Sequence, residues 1–148
     1  MKLSKKSIVK NLDDLKEIAS AFIDTLTPLE QRATIVALKG NLGAGKTTFT
    51  QQVAHYLEVK EIVTSPTFVL EKIYRLNHKK FDFLIHIDAY RLESSRELEV
   101  LGWREIIENP KNLIMLEWPE RVQEILPENM QIISLTFIDE TTREITIN

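Results

Sequence analysis

Three of the four glycines in this chain of 148 residues lie within six positions, in the run Gly40-Asn41-Leu42-Gly43-Ala44-Gly45-Lys46-Thr47-Thr48. The run fits G-x-x-x-x-G-K-[ST], the pattern of a loop that wraps the phosphates of a nucleotide. Such a loop holds an anion by aiming several backbone N–H groups at one point, and the backbone angles this requires are open to glycine but obstructed by side chains. Lys46 would set a compact positive charge beside β- and γ-phosphates, while the Thr47 hydroxyl would offer an oxygen to a bridging Mg²⁺. Thr48 would enter the first helical turn, where unpaired N–H groups and the helix dipole favour negative charge. The candidate cofactor-binding positions are therefore Asn41, Leu42, Gly43, Ala44, Gly45, Lys46, Thr47 and Thr48.

The flanks restrict the fold. Residues 33–38, Ala-Thr-Ile-Val-Ala-Leu, are nearly all apolar, as a strand buried on both faces of a parallel sheet must be. Residues 47–57 carry Phe49, Val53, Ala54 and Leu57 at helical spacing. Strand, glycine loop and helix follow in the order a phosphate-binding α/β domain needs. The length suits one domain spanning residues 1–148.

Composition narrows the class further. The chain is 43% hydrophobic and 28% charged, and no apolar run nears the roughly 20 residues that span a bilayer. It has no cysteine for a disulfide or a thiolate metal site, and its start, Met1-Lys2-Leu3-Ser4-Lys5-Lys6, lacks the apolar core of a secretion signal. A cytoplasmic protein without a membrane partner is expected. Net charge of −3 argues against a broad nucleic-acid surface, so Lys2, Lys5, Lys6 and Lys10 read as a solvated basic terminus.

Elsewhere, Asn11 is placed to cap a helix with an apolar stripe of Leu12, Leu15, Ile18, Ala19, Phe22, Ile23 and Leu26, ended by Thr27-Pro28. A short strand is expected at 60–63, then two strands, 68–76 and 81–87, joined through Asn77-His78-Lys79-Lys80. Residues 94–101 suggest a helix with Ser94 as cap, Glu97 as its capping-box partner and Gly102 as stop. A short buried strand at 113–117, a brief helix from Pro119, and strands at 132–137 and Arg143–Ile147 complete the pattern.

A nucleotide hydrolase needs a second oxygen ligand for its metal, usually an acid that ends an apolar strand beside the loop. Two strands qualify: Leu84-Ile85-His86-Ile87-Asp88 and Leu113-Ile114-Met115-Leu116-Glu117. The period of two sets His86 and Asp88 on one face, and Leu113, Met115 and Glu117 on one face. Spacing leaves open which acid meets the metal. His86 reads either as a packed core residue or as a group that orients water or Asp88. Thr64-Ser65-Pro66-Thr67 is either a segment that reaches the γ-phosphate through a hydroxyl or a plain hydroxyl-rich turn. Trp118 either rests by the nucleotide or fills the core.

Taken together, Gly40 to Thr48, Ser65-Pro66-Thr67-Phe68, His86-Ile87-Asp88-Ala89-Tyr90-Arg91-Leu92 and Leu116-Glu117-Trp118-Pro119-Glu120 resemble the TsaE family, also called YjeE, over most of the chain. The resemblance implies a P-loop NTPase three-layer sandwich with a mostly parallel sheet and added antiparallel strands. It further implies slow hydrolysis of ATP to ADP with Mg²⁺, in company with a TsaB–TsaD complex that modifies adenosine 37 of tRNAs reading ANN codons. Any contact with tRNA would then be indirect. On this likeness Thr47 and Glu117 become Mg²⁺ ligands, with Asp88 a nearby catalytic or metal-organising acid. Lys46, Asp88 and Glu117 form the catalytic set; Ser65, Pro66 and Thr67 become a candidate switch, and Trp118 lies near nucleotide and partner. Asn41 stands where the family's loop often has Asp. Two other readings remain: a shikimate-type small-molecule kinase, for which Arg91, Arg96 and Arg104 would have to supply the lid, and a nucleotide-gated binding module without turnover.

Overall fold

The computed structural model describes residues 5–61, 63 and 71–148. Seven strands form one sheet: β1 (Lys5–Val9), β2 (Thr34–Lys39), β3 (Glu71–Arg75), β4 (Phe83–Asp88), β5 (Asn112–Glu117), β6 (Gln131–Phe137) and β7 (Arg143–Ile147). Their order is β1-β7-β6-β2-β5-β4-β3. The four central strands β6, β2, β5 and β4 run parallel; β3 pairs antiparallel with β4 at one margin, and at the other β7 pairs antiparallel with β6 and β1 antiparallel with β7.

Period-two alternation makes β2 the centre of two cores. Val36 and Leu38 face one layer with α1 (Leu12–Thr25) and α2 (Lys46–Tyr56), while Ala33 and Ile35 face another with α3 (Ser95–Val100), α4 (Trp103–Glu108) and the 3₁₀ segment Pro119–Ile125. The result is the three-layer sandwich expected from the sequence. α1 starts where Asn11 Oδ1 accepts the Asp14 N–H at 2.8 Å, and its stripe buries Leu15, Ala19, Phe22 and Ile23. Phe22 meets Phe49 of α2 with ring centroids 6.3 Å apart, which packs α1 against the phosphate-loop helix. Leu12, counted in the stripe, stays 60% exposed.

Several elements depart from expectation. Of the basic N-terminal cluster, Lys5, Lys6 and Lys10 are exposed to solvent as expected, but Lys5 and Lys6 do so from an unforeseen strand, β1, which pairs with β7, and Lys6 Nζ sits 3.6 Å from Glu144. Alternation there covers only Ile8 and Val9 after two lysines, too short a pattern to reveal a strand whose partner lies at the far end of the chain. No strand forms at 60, 61 or 63; the Val63 carbonyl instead accepts the Gln51 side-chain N–H at 2.8 Å. Gly102 does take left-handed angles (φ 90°), but it opens α4 as well as closing α3. The capping box is displaced by one residue, because Glu97 accepts the N–H of Glu93 rather than that of Ser94. The hairpin joining β3 to β4 is present, while residues 64–70, with the Ser65-Pro66-Thr67 switch expectation, lie outside the described residues.

Candidate functional site

The loop after β2 turns through three glycines with positive φ: Gly40 (153°), Gly43 (81°) and Gly45 (104°). A side chain at Gly40 would place its Cβ 2.6 Å from the Leu135 carbonyl, so the loop can leave β2 beside β6 only without one. Gly45 caps α2 without any side-chain hydrogen bond, and the helix's own geometry leaves its first-turn N–H groups unpaired. Ala44 is buried beneath the loop, whereas Asn41, Leu42 and Gly43 form its exposed crest.

The two strand-end acids arrive at this loop by register. β4 and β5 are parallel neighbours with Asp88 opposite Glu117, and β5 lies next to β2. Glu117 is nevertheless the acid that meets the loop helix: Thr47 Oγ1 donates to its Oε2 at 3.0 Å and lies 3.3 Å from its Oε1. Glu117 is 3% exposed, and its Oε2 shares a 2.6 Å hydrogen bond with His86 Nε2. His86 is fully buried, as the packed-core reading has it, and its polar partner is Glu117 rather than Asp88.

Asp88 accepts the Tyr90 N–H at 3.0 Å. Burial, more than the neighbouring Glu117 charge, pushes its carboxyl above the usual range. Lys46 donates to the carbonyls of Gly40 and Asn41, at 2.5 and 3.1 Å. Burial lowers its ammonium pKa, and Glu117, Asp88 and Glu120 pull it back. Its Nζ lies 4.4 Å from the centre of the Trp118 ring, within cation–π reach. Trp118 also packs, partly buried, against the second core.

These groups line a cleft of about 330 Å³ that runs from Leu42 and Gly43 past Lys46 and Thr47 to Asp88 and Glu117. Two of its walls were not anticipated, Tyr90 and Arg143. The Tyr90 ring sits 5.0 Å from that of Trp118, and Arg143 Nη2 donates to the Gly43 carbonyl at 3.3 Å. Tyr90 continues the strand-end motif two residues past Asp88, a signal that was available. Arg143 lies 100 residues from Gly43 and has no local cue. Arg91, Arg96 and Arg104 do not line the cleft.

The donors facing one another here, a hydroxyl and carboxylates, are all hard oxygens and suit Mg²⁺. Among the described residues no group of three or more His, Cys, Asp or Glu gathers to cage an ion.

The fold and site together define a protein of the P-loop NTPase class. A family model described as threonylcarbamoyl adenosine biosynthesis protein TsaE matches residues 9–145. The chain belongs to the TsaE family of tRNA threonylcarbamoyladenosine biosynthesis. It is similar to the Rickettsia bellii tRNA threonylcarbamoyladenosine biosynthesis protein TsaE, 34% identical over 95% of this chain and 92% of that protein. To its Treponema pallidum counterpart it is 38% identical over 80% of this chain and 84% of that protein. The crystal structure of Bacillus subtilis YdiB superposes with a TM-score of 0.74 at 28% identity, covering 99% of this chain and 86% of that one.

Proposed function

We propose that this chain binds ATP with Mg²⁺ and hydrolyses it slowly in the cytoplasm, as the nucleotide-dependent subunit that supports repeated turnover by a TsaB–TsaD complex acting on adenosine 37 of tRNA. The observation that carries this reading is the contact of Thr47 with Glu117 at 3.0 Å across 70 residues of sequence, beneath the glycine loop. An isolated phosphate loop needs no such partner, whereas a metal-assisted hydrolase does.

In this reading the loop amides and Lys46 grip the phosphates, and Lys46 exchanges its two carbonyl partners for phosphate oxygens. Thr47 and Glu117 hold the cation, which when bound would neutralise charge developing on the β- and γ-phosphates. His86 keeps the Glu117 carboxylate in one orientation through its buried hydrogen bond. Asp88, with one oxygen on the Tyr90 N–H, orients the attacking water. Arg143 is already engaged with the carbonyls of Gly43, Asp139 and Thr142. With that arginine committed, compensation of the transition-state charge is left incomplete, which supports a low rate alone and a higher one when a partner completes the site.

Phosphate release by the purified chain, with and without TsaB–TsaD, tests the proposal, together with calorimetry on Glu117→Gln. The expected result is slow release raised by the partners, and a variant that keeps ATP but loses about 100-fold or more in hydrolysis. Unchanged hydrolysis by Glu117→Gln would remove that residue from the site, and fast release indifferent to TsaB–TsaD would end the dependence.

A further inference from the structure

β3 is the marginal strand at one end of the sheet, and among the described residues no strand pairs with its outer side. The Leu76 N–H bonds the Asp82 carbonyl at 2.7 Å, one step beyond the pair Arg75 and Phe83. Alternation along an antiparallel ladder then turns the main-chain groups of Lys72 and Tyr74 toward β4 and those of Glu71, Ile73 and Arg75 outward. An open row of N–H and C=O groups of this kind is a template for another strand.

The side chains at those three outward positions share one face, with Glu71 opposite Ile87 and Ile73 opposite Ile85 of the second core. Each lacks what a neighbour would give it. Ile73 is 55% exposed, Arg75 is exposed without an ion pair among the described residues, and Glu71 Oε2 is buried with no hydrogen-bond partner. Burial pushes the Glu71 carboxyl above its usual range, and among the described residues no cation pulls it back. About Ile73 the strand is its own complement: a copy running antiparallel sets Ile73 against Ile73, Glu71 against Arg75 and Arg75 against Glu71. We infer that β3 is a self-association edge, at which two copies of this chain pair antiparallel about a two-fold axis through Ile73 and form one continuous sheet. Reciprocal main-chain bonds join the outward groups, and two Glu–Arg pairs flank the apolar centre. None of the three residues lines the phosphate cleft, and the inference rests on the fold alone. A strand of 5 residues buries little surface, so the dimer is weak and reversible.

Sedimentation equilibrium of the full chain, from about 10 to 500 μM, decides it. The wild type should pass from monomer toward dimer over that range. Glu71→Arg and Arg75→Glu each set like charges against one another at both ends of the paired strands, and each alone should weaken dimerisation about tenfold or more. An equimolar mixture of the two variants brings opposite charges together again at both ends, so it should form a heterodimer at least as tight as the wild-type dimer. That recovery also shows that both variants are folded. A wild type that stays monomeric throughout, single variants that dimerise as it does, or a mixture no tighter than its components would each overturn the inference.

Discussion

At Asp88 and Glu117, two carboxylates on neighbouring strand ends are given different work by their surroundings. Glu117 is buried with a hydroxyl and an imidazole as partners, while Asp88 accepts a backbone N–H and carries an unfavourable burial cost when charged. Because its folded pKa is raised above the unfolded value, the folded state binds the proton more tightly, and ionised Asp88 costs stability at pH values above that folded pKa. Asp88→Asn keeps an oxygen for the Tyr90 N–H and removes the charge. It should therefore raise stability at pH 7, and its advantage over the wild type should shrink as pH falls through the raised pKa toward 3.8. Thermal midpoints of both proteins across that range check this; an advantage constant with pH would mean the charge is not the cause. Both acids were legible as the ends of apolar strands. Which one meets Thr47 was not, because opposed residues on adjacent strands differ in role only through what packs on them. Trp118 shows the same limit: its left-handed angles (φ 59°, ψ 53°) are of the kind that clusters at functional sites, and no residue type announces them.

At the level of elements, α2 ends as deliberately as it begins. The N–H of Glu58 bonds the His55 carbonyl at 3.1 Å and that of Val59 bonds the Ala54 carbonyl at 3.0 Å, a Schellman closure that places Glu58 at φ 62° where glycine usually stands. Glu58→Gly should relieve the side-chain clash of that conformation and stabilise the protein by about 0.5–1 kcal/mol, less than the full left-handed cost because glycine also loosens the unfolded chain. The urea midpoint should rise at unchanged slope; a fall would show the position to be unstrained. The same closure explains why no strand forms directly after α2, since Val59 is turned back toward the core instead of extending. Helix α1 was legible because its apolar periodicity runs over 14 residues, and strands β2, β4 and β5 because each is a nearly unbroken apolar run. β1 and α4 (Trp103–Glu108) were not, since five and six residues carry too little pattern and their partners are remote.

Across the whole molecule, the sheet joins two cores that share no surface helix, and both tryptophans belong to one of them, Trp103 within the second core and Trp118 against it. Leu38 points into the other core and is fully buried. If β2 makes the layers one cooperative unit, Leu38→Ala should cost about 2–5 kcal/mol and lower the unfolding midpoint equally by tryptophan fluorescence and by far-ultraviolet circular dichroism. Separated midpoints would mean the layers unfold independently. By itself the sequence determined that a strand, a glycine loop and a helix succeed one another at 34–56, and that two acids end apolar strands, because those signals depend on residues a few positions apart. Only the tertiary structure decided that Glu117 faces Thr47, that Arg143 reaches Gly43, and that β1 pairs with β7 from the far end of the chain. These depend on strand order and register, which arise from burying the whole sheet at once, and no short stretch of chain encodes them.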